Sequence, residues 1–423
     1  MKPPLIFDDS NLRGNLFATQ RINPHEIFDA RQNLIQLHKR GEQGWLSVVD
    51  DKDHIDLIKA QVKVFKKYKN CLVIGIGGSD LGTRAAIHAL ADKYVGSKIW
   101  FTGNTTDPDA ISKVFDTIPW KQTCINVISK SGGTLECMSV FLEAKERLEK
   151  AVGAKKAAKA IICTTDPESG ELRDFAVQNG YATLSVPQNI GGRFSVLTSV
   201  GLFPMAMANI KIDALLKSAA KIRDDWFDAF GTSHDIDRFA AWHVAHGRNG
   251  RPIHVLFCYS EALREFAMWY RQIWAESLGK LKAHGGPTPV AAIGPADQHS
   301  QLQLYQDGPD DKVYTFLNVK NFASKLRIPK SIAKFDDLKY AKNHSFADLI
   351  HAAQKATAAA LLEQERPVGT LEIDKVSEES LGALFMFYEI ATAMAGFLYC
   401  INPFDQPGVE ASKSNVKQIL STK

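Results

Sequence analysis

The sequence predicts an α/β protein whose parallel sheets are covered by helices on both faces, and three observations carry that prediction. Short apolar runs alternate with helix-length stretches from Cys71 to Val186, and the alternation returns from Ile253 to Ile373. Two turns rich in Gly and Ser, Gly75–Gly82 (GIGGSDLG) and Ser129–Thr134 (SKSGGT), each follow a strand-like run. Ligands of such sheets sit at the carboxyl ends of the strands, so both turns fall where a small molecule is expected.

Taken in order, Asn23–Gly41 opens with Asn-Pro and closes with Gly, and Asp50–Lys69 places Ile55, Leu57, Ile58, Val62 and Phe65 near the helical period. Both are predicted helices. The first series then gives strands at Cys71–Ile76, Lys98–Thr102, Thr123–Ile128, Ala160–Thr164 and Ala182–Val186. Ile210–Gly250 reads as a helical connection with a polar break near Gly231–His234. The second series gives a strand at Ile253–Cys258, a helix at Ser260–Lys280, strands at Thr288–Ile293 and Lys312–Val319, and a helix at Ser345–Leu362. Leu381–Ile401 is apolar enough to suggest a membrane span, but Glu389 stands at its middle. Ser377 offers a cap, with Glu378 and Glu379 in the first turn, so a buried helix is the expectation.

A chain of 423 residues exceeds one ordinary core and implies two domains. The net charge of +4 arises from 51 basic and 47 acidic residues spread along the whole length, which argues against a nucleic-acid or membrane surface. The basic runs Phe65–Lys69 and Lys155–Lys159 read as solvated helix faces. Six cysteines without a C-x-x-C pair, four of them in strand-like runs, imply a reducing compartment and no structural zinc. The amino terminus lacks the apolar core of a secretory signal, and a cytoplasmic location is expected.

The stretch Ile128–Glu136 (ISKSGGTLE) reads as strand end, hydroxyl-rich turn and helix start. A helix start offers unpaired N–H groups and a partial positive charge, Gly132 and Gly133 allow close approach, and Ser129, Ser131 and Thr134 add hydroxyl donors. Together they suit one phosphate monoester; the same letters also fit a plain Ser/Gly turn with a Thr cap. GIGGSDLG is not a dinucleotide fingerprint, because Asp80 stands where the third glycine belongs and no acidic residue closes KIWFTG. Gly78 and Ser79 instead offer a backbone N–H and a hydroxyl to a small ligand.

Three further stretches, Gly191–Phe203 (GGRFSVLTSVGLF), Glu276–Lys280 (ESLGK) and Phe404–Lys413 (FDQPGVEASK), follow the two turns in this order. From about Gly75 to Lys413 the chain resembles the glucose-6-phosphate (phosphoglucose) isomerase family, in its compact bacterial-type form. The resemblance implies two sugar-isomerase (SIS) three-layer α/β/α sandwich domains with parallel sheets plus a helical C-terminal arm, divided as 1–210, 211–375 and 376–423. It implies reversible aldose–ketose isomerisation of glucose 6-phosphate and fructose 6-phosphate through ring opening and an enediol, with no cofactor or metal.

Residue by residue, Glu276 matches the family's base, a carboxylate suited to moving a proton between C2 and C1. Without the resemblance, a surface pair with Lys280 at i+4 fits it as well. Arg193 matches the fixed cation that an enediolate needs, and a purely structural pairing is the alternative. His299, in ADQHSQLQ, matches the ring-opening histidine, which in the family reaches the site from the neighbouring subunit. That implies a homodimer with a shared active site. Lys413 matches a lysine assisting ring opening, a solvated helix lysine being the alternative, and Gln406 a ligand-binding glutamine near the phosphate. Ser129, Ser131 and Thr134 carry over to the phosphate loop, with Lys130 acting chiefly through its backbone. A non-catalytic sugar-phosphate sensor is the competing class; the duplicated architecture and the catalytic set oppose it.

Overall fold

The computed structural model describes residues 5–8, 22–229, 234–280 and 286–421. It contains β1 (Leu5–Asp8), a first group β2 (Asn70–Ile74), β3 (Lys98–Thr102), β4 (Thr123–Ile128), β5 (Ile161–Thr165) and β6 (Ala182–Ser185), and a second group β7 (Ile253–Cys258), β8 (Thr288–Ile293), β9 (Lys312–Val319) and β10 (Val368–Ile373). The first sheet has the order β3-β2-β4-β5-β6 and is parallel throughout. The second has the order β1-β10-β9-β7-β8 and is parallel except for β1, which runs antiparallel along β10 with Leu5 opposite Ile373.

Alternate residues of each central strand serve different faces, which is why these strands read as unbroken apolar runs. In the first sheet Leu72, Ile74, Ile125, Val127, Ile161 and Cys163 pack beneath the helices Leu135–Val152 and Glu171–Asn179, while Cys71, Val73, Cys124 and Ile162 join the large shared core. Val255, Phe257, Tyr314 and Phe316 play the first of these roles in the second sheet, beneath Phe346–Glu363. The shared core holds both sheets together. Its centre is the helix Glu378–Leu398, whose most apolar 18-residue window is 94% buried by protein. Ser377 caps this helix by accepting from the Ser380 N–H at 3.3 Å.

Expected and observed elements agree closely where burial dictates the sequence. The strands at 98–102, 123–128, 253–258, 288–293 and 312–319 have the expected ends. The expected strand 71–76 stops at Ile74, because Gly75 and Ile76 already lead into the turn Gly77–Ser79. The expected helix 260–280 begins as one short turn, Glu261–Leu263, and continues as Arg264–Leu278. The polar break near 231–234 separates helices Ile212–Asp228 and Asp235–Arg248, and its residues 231–233 lie outside the described residues.

Candidate active site

The first sheet changes direction between β2 and β4, since the chain crosses from β2 to β3 on one side and returns to β4 on the other. A crevice therefore opens beyond the carboxyl ends of these two strands. Both glycine-rich turns are there. After β4, Ser129 is buried and its Oγ accepts the Gly132 N–H at 3.1 Å, while Ser131 Oγ accepts the Gly133 N–H at 3.2 Å. Gly132 has φ +77°, and a Cβ there would lie 2.2 Å from the Leu172 nitrogen, so only glycine fits the bend. Thr134 stands at the N-cap of Leu135–Val152, and its side chain makes no capping hydrogen bond. Thr134 and the first-turn amides thus stand at the same end of the helix, where an anion is favoured.

Lys130 is placed differently from a phosphate-gripping lysine. Its Nζ donates to the carbonyls of Gln188 at 2.8 Å and Ile190 at 3.1 Å, and its own carbonyl accepts from Asp166 N and Thr165 Oγ1, each at 3.1 Å. Partial burial pulls its ammonium below the usual lysine range, opposed by Asp166. Its side chain braces the loop from behind, and its main chain shapes the turn.

After β2, the turn Gly77–Ser79 touches two partners that the linear sequence does not connect to it. A Cβ on Gly78 would lie 2.2 Å from the Gly192 carbonyl oxygen, and one on Gly77 would lie 2.8 Å from Gln272 Nε2. Hence the first glycine turn is pressed against both the GGR segment and the helix Arg264–Leu278. That helix follows β7 of the second sheet, yet it packs on Leu81–Leu90 of the first, which brings Glu276 to the crevice.

Arg193 organises the centre. It is 4% exposed, and its guanidinium is held on every side: Nε donates to Ser277 Oγ at 2.6 Å, one terminal nitrogen donates to Gln406 Oε1 at 3.0 Å, and the other donates to the carbonyls of Pro403 at 2.6 Å and Asp405 at 3.0 Å. Its terminal nitrogen lies 3.6 Å from Glu276 Oε1. Burial lowers its pKa, and the charges of Glu276 and Asp405 raise it. The result is a planar cation with one fixed orientation beside a carboxylate that remains 28% exposed.

The pairing of Glu276 with Lys280 does not occur through the carboxylate. Lys280 Nζ instead donates to the Glu276 main-chain carbonyl at 3.1 Å, and Glu276 Oε2 accepts from Gln272 Nε2 at 3.0 Å. Glu276, Arg193 and Gln406 are therefore brought together, with Gly78 and Ser79 packed alongside. His299 is not part of this group within one chain. It is exposed, just past the turn Ala296–Gln298, and lines a cleft of about 600 Å³ with Phe322, Leu326, Phe346 and Leu349. Lys413 lies in the exposed final helix, Glu410–Ser421.

Sequence reasoning missed Gln272 and Ser277. Gln272 carried a usable signal, since a residue four positions before Glu276 shares its helix face. Ser277 carried none, because its partner is 84 positions away. Among the described residues no group of three His, Cys, Asp or Glu side chains is arranged to hold a metal ion.

The sequence profile of the phosphoglucose isomerase family matches residues 52–423. Glucose-6-phosphate isomerase of Rubrobacter xylanophilus is 39% identical over 348 residues, covering 80% of this chain and 80% of that protein. The crystal structure of a hypothetical protein from Thermus thermophilus shares the fold with a TM-score of 0.89 at 30% identity, covering 98% of this chain and 99% of that one. A glucose-6-phosphate isomerase from Chlamydia trachomatis superposes with a TM-score of 0.74 at 25% identity, covering 88% of this chain and 74% of that one.

Proposed function

We propose, from the premise that this chain belongs to the phosphoglucose isomerase family, how its own residues divide the work of that family's reaction. The activity is the reversible interconversion of glucose 6-phosphate and fructose 6-phosphate. Ser129, Ser131, Thr134 and the amides opening the helix at Leu135 grip the phosphoryl group, with Gly78 and Ser79 on the opposite wall. Glu276 takes the proton from C2 of the open-chain sugar and returns it at C1, and the reverse reaction runs by the same shuttle. The negative charge that develops on the enediolate oxygens is balanced by Arg193, whose orientation costs nothing to arrange at that moment.

Ring opening falls to His299 and Lys413. His299 serves the site of a second copy in a homodimer, a reading supported by its position away from Glu276 and by the exposed apolar side chains Leu326, Phe346 and Leu349 around its cleft. Gln406 completes the wall by which Arg193 is fixed. A cytoplasmic, glycolytic and gluconeogenic role belongs to the same reading.

The observation that carries the assignment is the 3.6 Å approach of the locked Arg193 guanidinium to Glu276. The test is turnover by the purified protein in both directions, followed with enzymes that consume each product and with no added metal. Turnover of both sugar phosphates that survives a chelator is the expected result. Failure with both substrates, or loss of activity to the chelator, overturns the proposal.

A further inference from the structure

Residues 402–405 follow the buried helix Glu378–Leu398 and lead into the segment carrying Gln406 and the final helix. Among the described residues, no main-chain to main-chain hydrogen bond holds them. Phe404 N–H donates to Asn402 Oδ1 at 3.0 Å within the segment, its ring packs on Phe194 and Phe397, and two cations tie the segment's carbonyls to the site. Arg193 donates to the carbonyls of Pro403 and Asp405, and Lys280 Nζ donates to the same Asp405 carbonyl at 2.6 Å. The Lys280 side chain is 14% exposed, and its ammonium has three acceptors for three N–H bonds: the Glu276 carbonyl at 3.1 Å, the Asp405 carbonyl, and Asp405 Oδ1 at 3.2 Å.

We propose that Lys280 is a positioning residue that seats the 402–406 segment against the end of the Glu276 helix, and so fixes the distance between Arg193 and the base. This rests on the active site assigned above. The contact that matters is the carbonyl. Asp405's carboxylate is 53% exposed and also accepts from Asn402 Nδ2 at 3.1 Å, so water and a second partner weaken its pull on Lys280. The Asp405 carbonyl, by contrast, is shared by two cations that reach it from the segments at 193 and 280. Removing the Lys280 ammonium leaves the Asp405 carbonyl to Arg193 alone, beyond the packing of Pro403 on Gly396 and of Phe404 on Phe194 and Phe397, and the terminal nitrogens of Arg193, whose Nε stays on Ser277, shift with that carbonyl.

The phosphate turn at 129–134 takes its hydrogen bonds from within itself and from the segments at 164–171 and 188–190, apart from this clasp, so substrate capture and chemistry are predicted to respond differently. In Lys280→Met, kcat is expected to fall about ten- to a hundredfold, the range for small misplacement of catalytic groups, while KM for fructose 6-phosphate stays within about twofold. Hydrogen exchange should show the amides of Phe404, which donates to Asn402 Oδ1, and Val409, which donates to the Gln406 carbonyl, losing protection while β4 and the helix Arg264–Leu278 keep theirs. Lys280→Arg should restore most of kcat, and Asp405→Asn, which retains the carbonyl, should resemble the unaltered protein. Wild-type kcat and unchanged exchange in Lys280→Met overturn the clasp, as does an Asp405→Asn defect equal to that of Lys280→Met. Exchange is read without turnover, so a protein that fails to isomerise either sugar phosphate refutes the assigned activity and leaves the clasp to be decided separately.

Discussion

Arg193→Lys preserves the charge and removes the geometry, which makes it the sharpest probe of the central cation. Arg193 makes four hydrogen bonds and one close approach to Glu276. An ammonium has three N–H donors on a single atom, so it cannot reach Ser277, Gln406 and both loop carbonyls together. With one N–H kept toward Glu276, two remain for the four acceptors, and two of the four bonds are lost. At about 1.5–3 kcal/mol for each hydrogen bond to a charged group, the local loss is roughly 3–6 kcal/mol. Part of that falls on folding, because Ser277 Oγ and the Pro403 carbonyl are left buried without their donor. The part expressed at the transition state is about 3–4 kcal/mol, comparable to deleting one oxyanion donor, or a fall in kcat of about 10²–10³. The assay is the coupled measurement of glucose 6-phosphate formation across a range of fructose 6-phosphate, with circular dichroism to confirm folding. KM should change by less than about fivefold, since the phosphate turn is untouched. A folded variant with kcat within threefold of wild type refutes the reasoning and makes Arg193 a structural residue.

Three other outcomes concern the phosphate turn and buried titratable groups elsewhere in the fold. Gly132→Ala imposes a side chain at φ +77° and 2.2 Å from the Leu172 nitrogen, so KM for both sugar phosphates should rise at least tenfold with a smaller change in kcat; an unchanged KM removes the turn from phosphate binding. Burial holds His243 at a pKa of about 3 and His246 at about 4, and pushes His254 down as well. The native state then binds fewer protons than the unfolded chain below about pH 6.5, so these groups cost stability as pH falls from there, by roughly 2 kcal/mol at pH 5 for His243 and a similar amount for His246, with His254 acting in the same direction. A melting temperature that is flat from pH 7.5 to pH 5 contradicts this. Glu389 is fully buried, both its oxygens lack a partner among the described residues, and burial raises its pKa well above the usual range. Its stabilising protonated form is lost to the unfolded carboxylate as pH rises past about 4.5, so Glu389→Met should raise the melting temperature at pH 7, and a lowered one shows that the carboxyl has a partner in solution.

The sequence announced most of what lies inside the sheets. Thr123–Ile128 and Ile253–Cys258 are buried on both faces, so continuous apolar letters mark their ends. β1 escaped notice because four residues, Leu5–Asp8, gain their role only by pairing with a strand at the other end of the chain. The site divides in the same way. The hydroxyl turn was legible because strand, glycines and helix start are adjacent letters. Arg193, Glu276 and Gln406 were legible through the family resemblance, but the reason they meet was not: Arg193 is fixed by residues 84 to 213 positions away. Lys280 illustrates the limit. Its spacing from Glu276 suggested an i,i+4 ion pair, and tertiary structure redirected the ammonium to the main chain and to Asp405.

The central claim is that one carboxylate carries the proton between two neighbouring carbons, and isotope exchange in D2O tests it most directly. Nuclear magnetic resonance of fructose 6-phosphate and glucose 6-phosphate incubated with the protein reports deuterium entering C1 and C2. With the unaltered protein, solvent deuterium should appear at both positions as the two sugars equilibrate. With Glu276→Gln, incorporation should fall by about two to four orders of magnitude while the sugar phosphate still binds. Undiminished deuterium exchange in that variant would assign the proton transfer to another group.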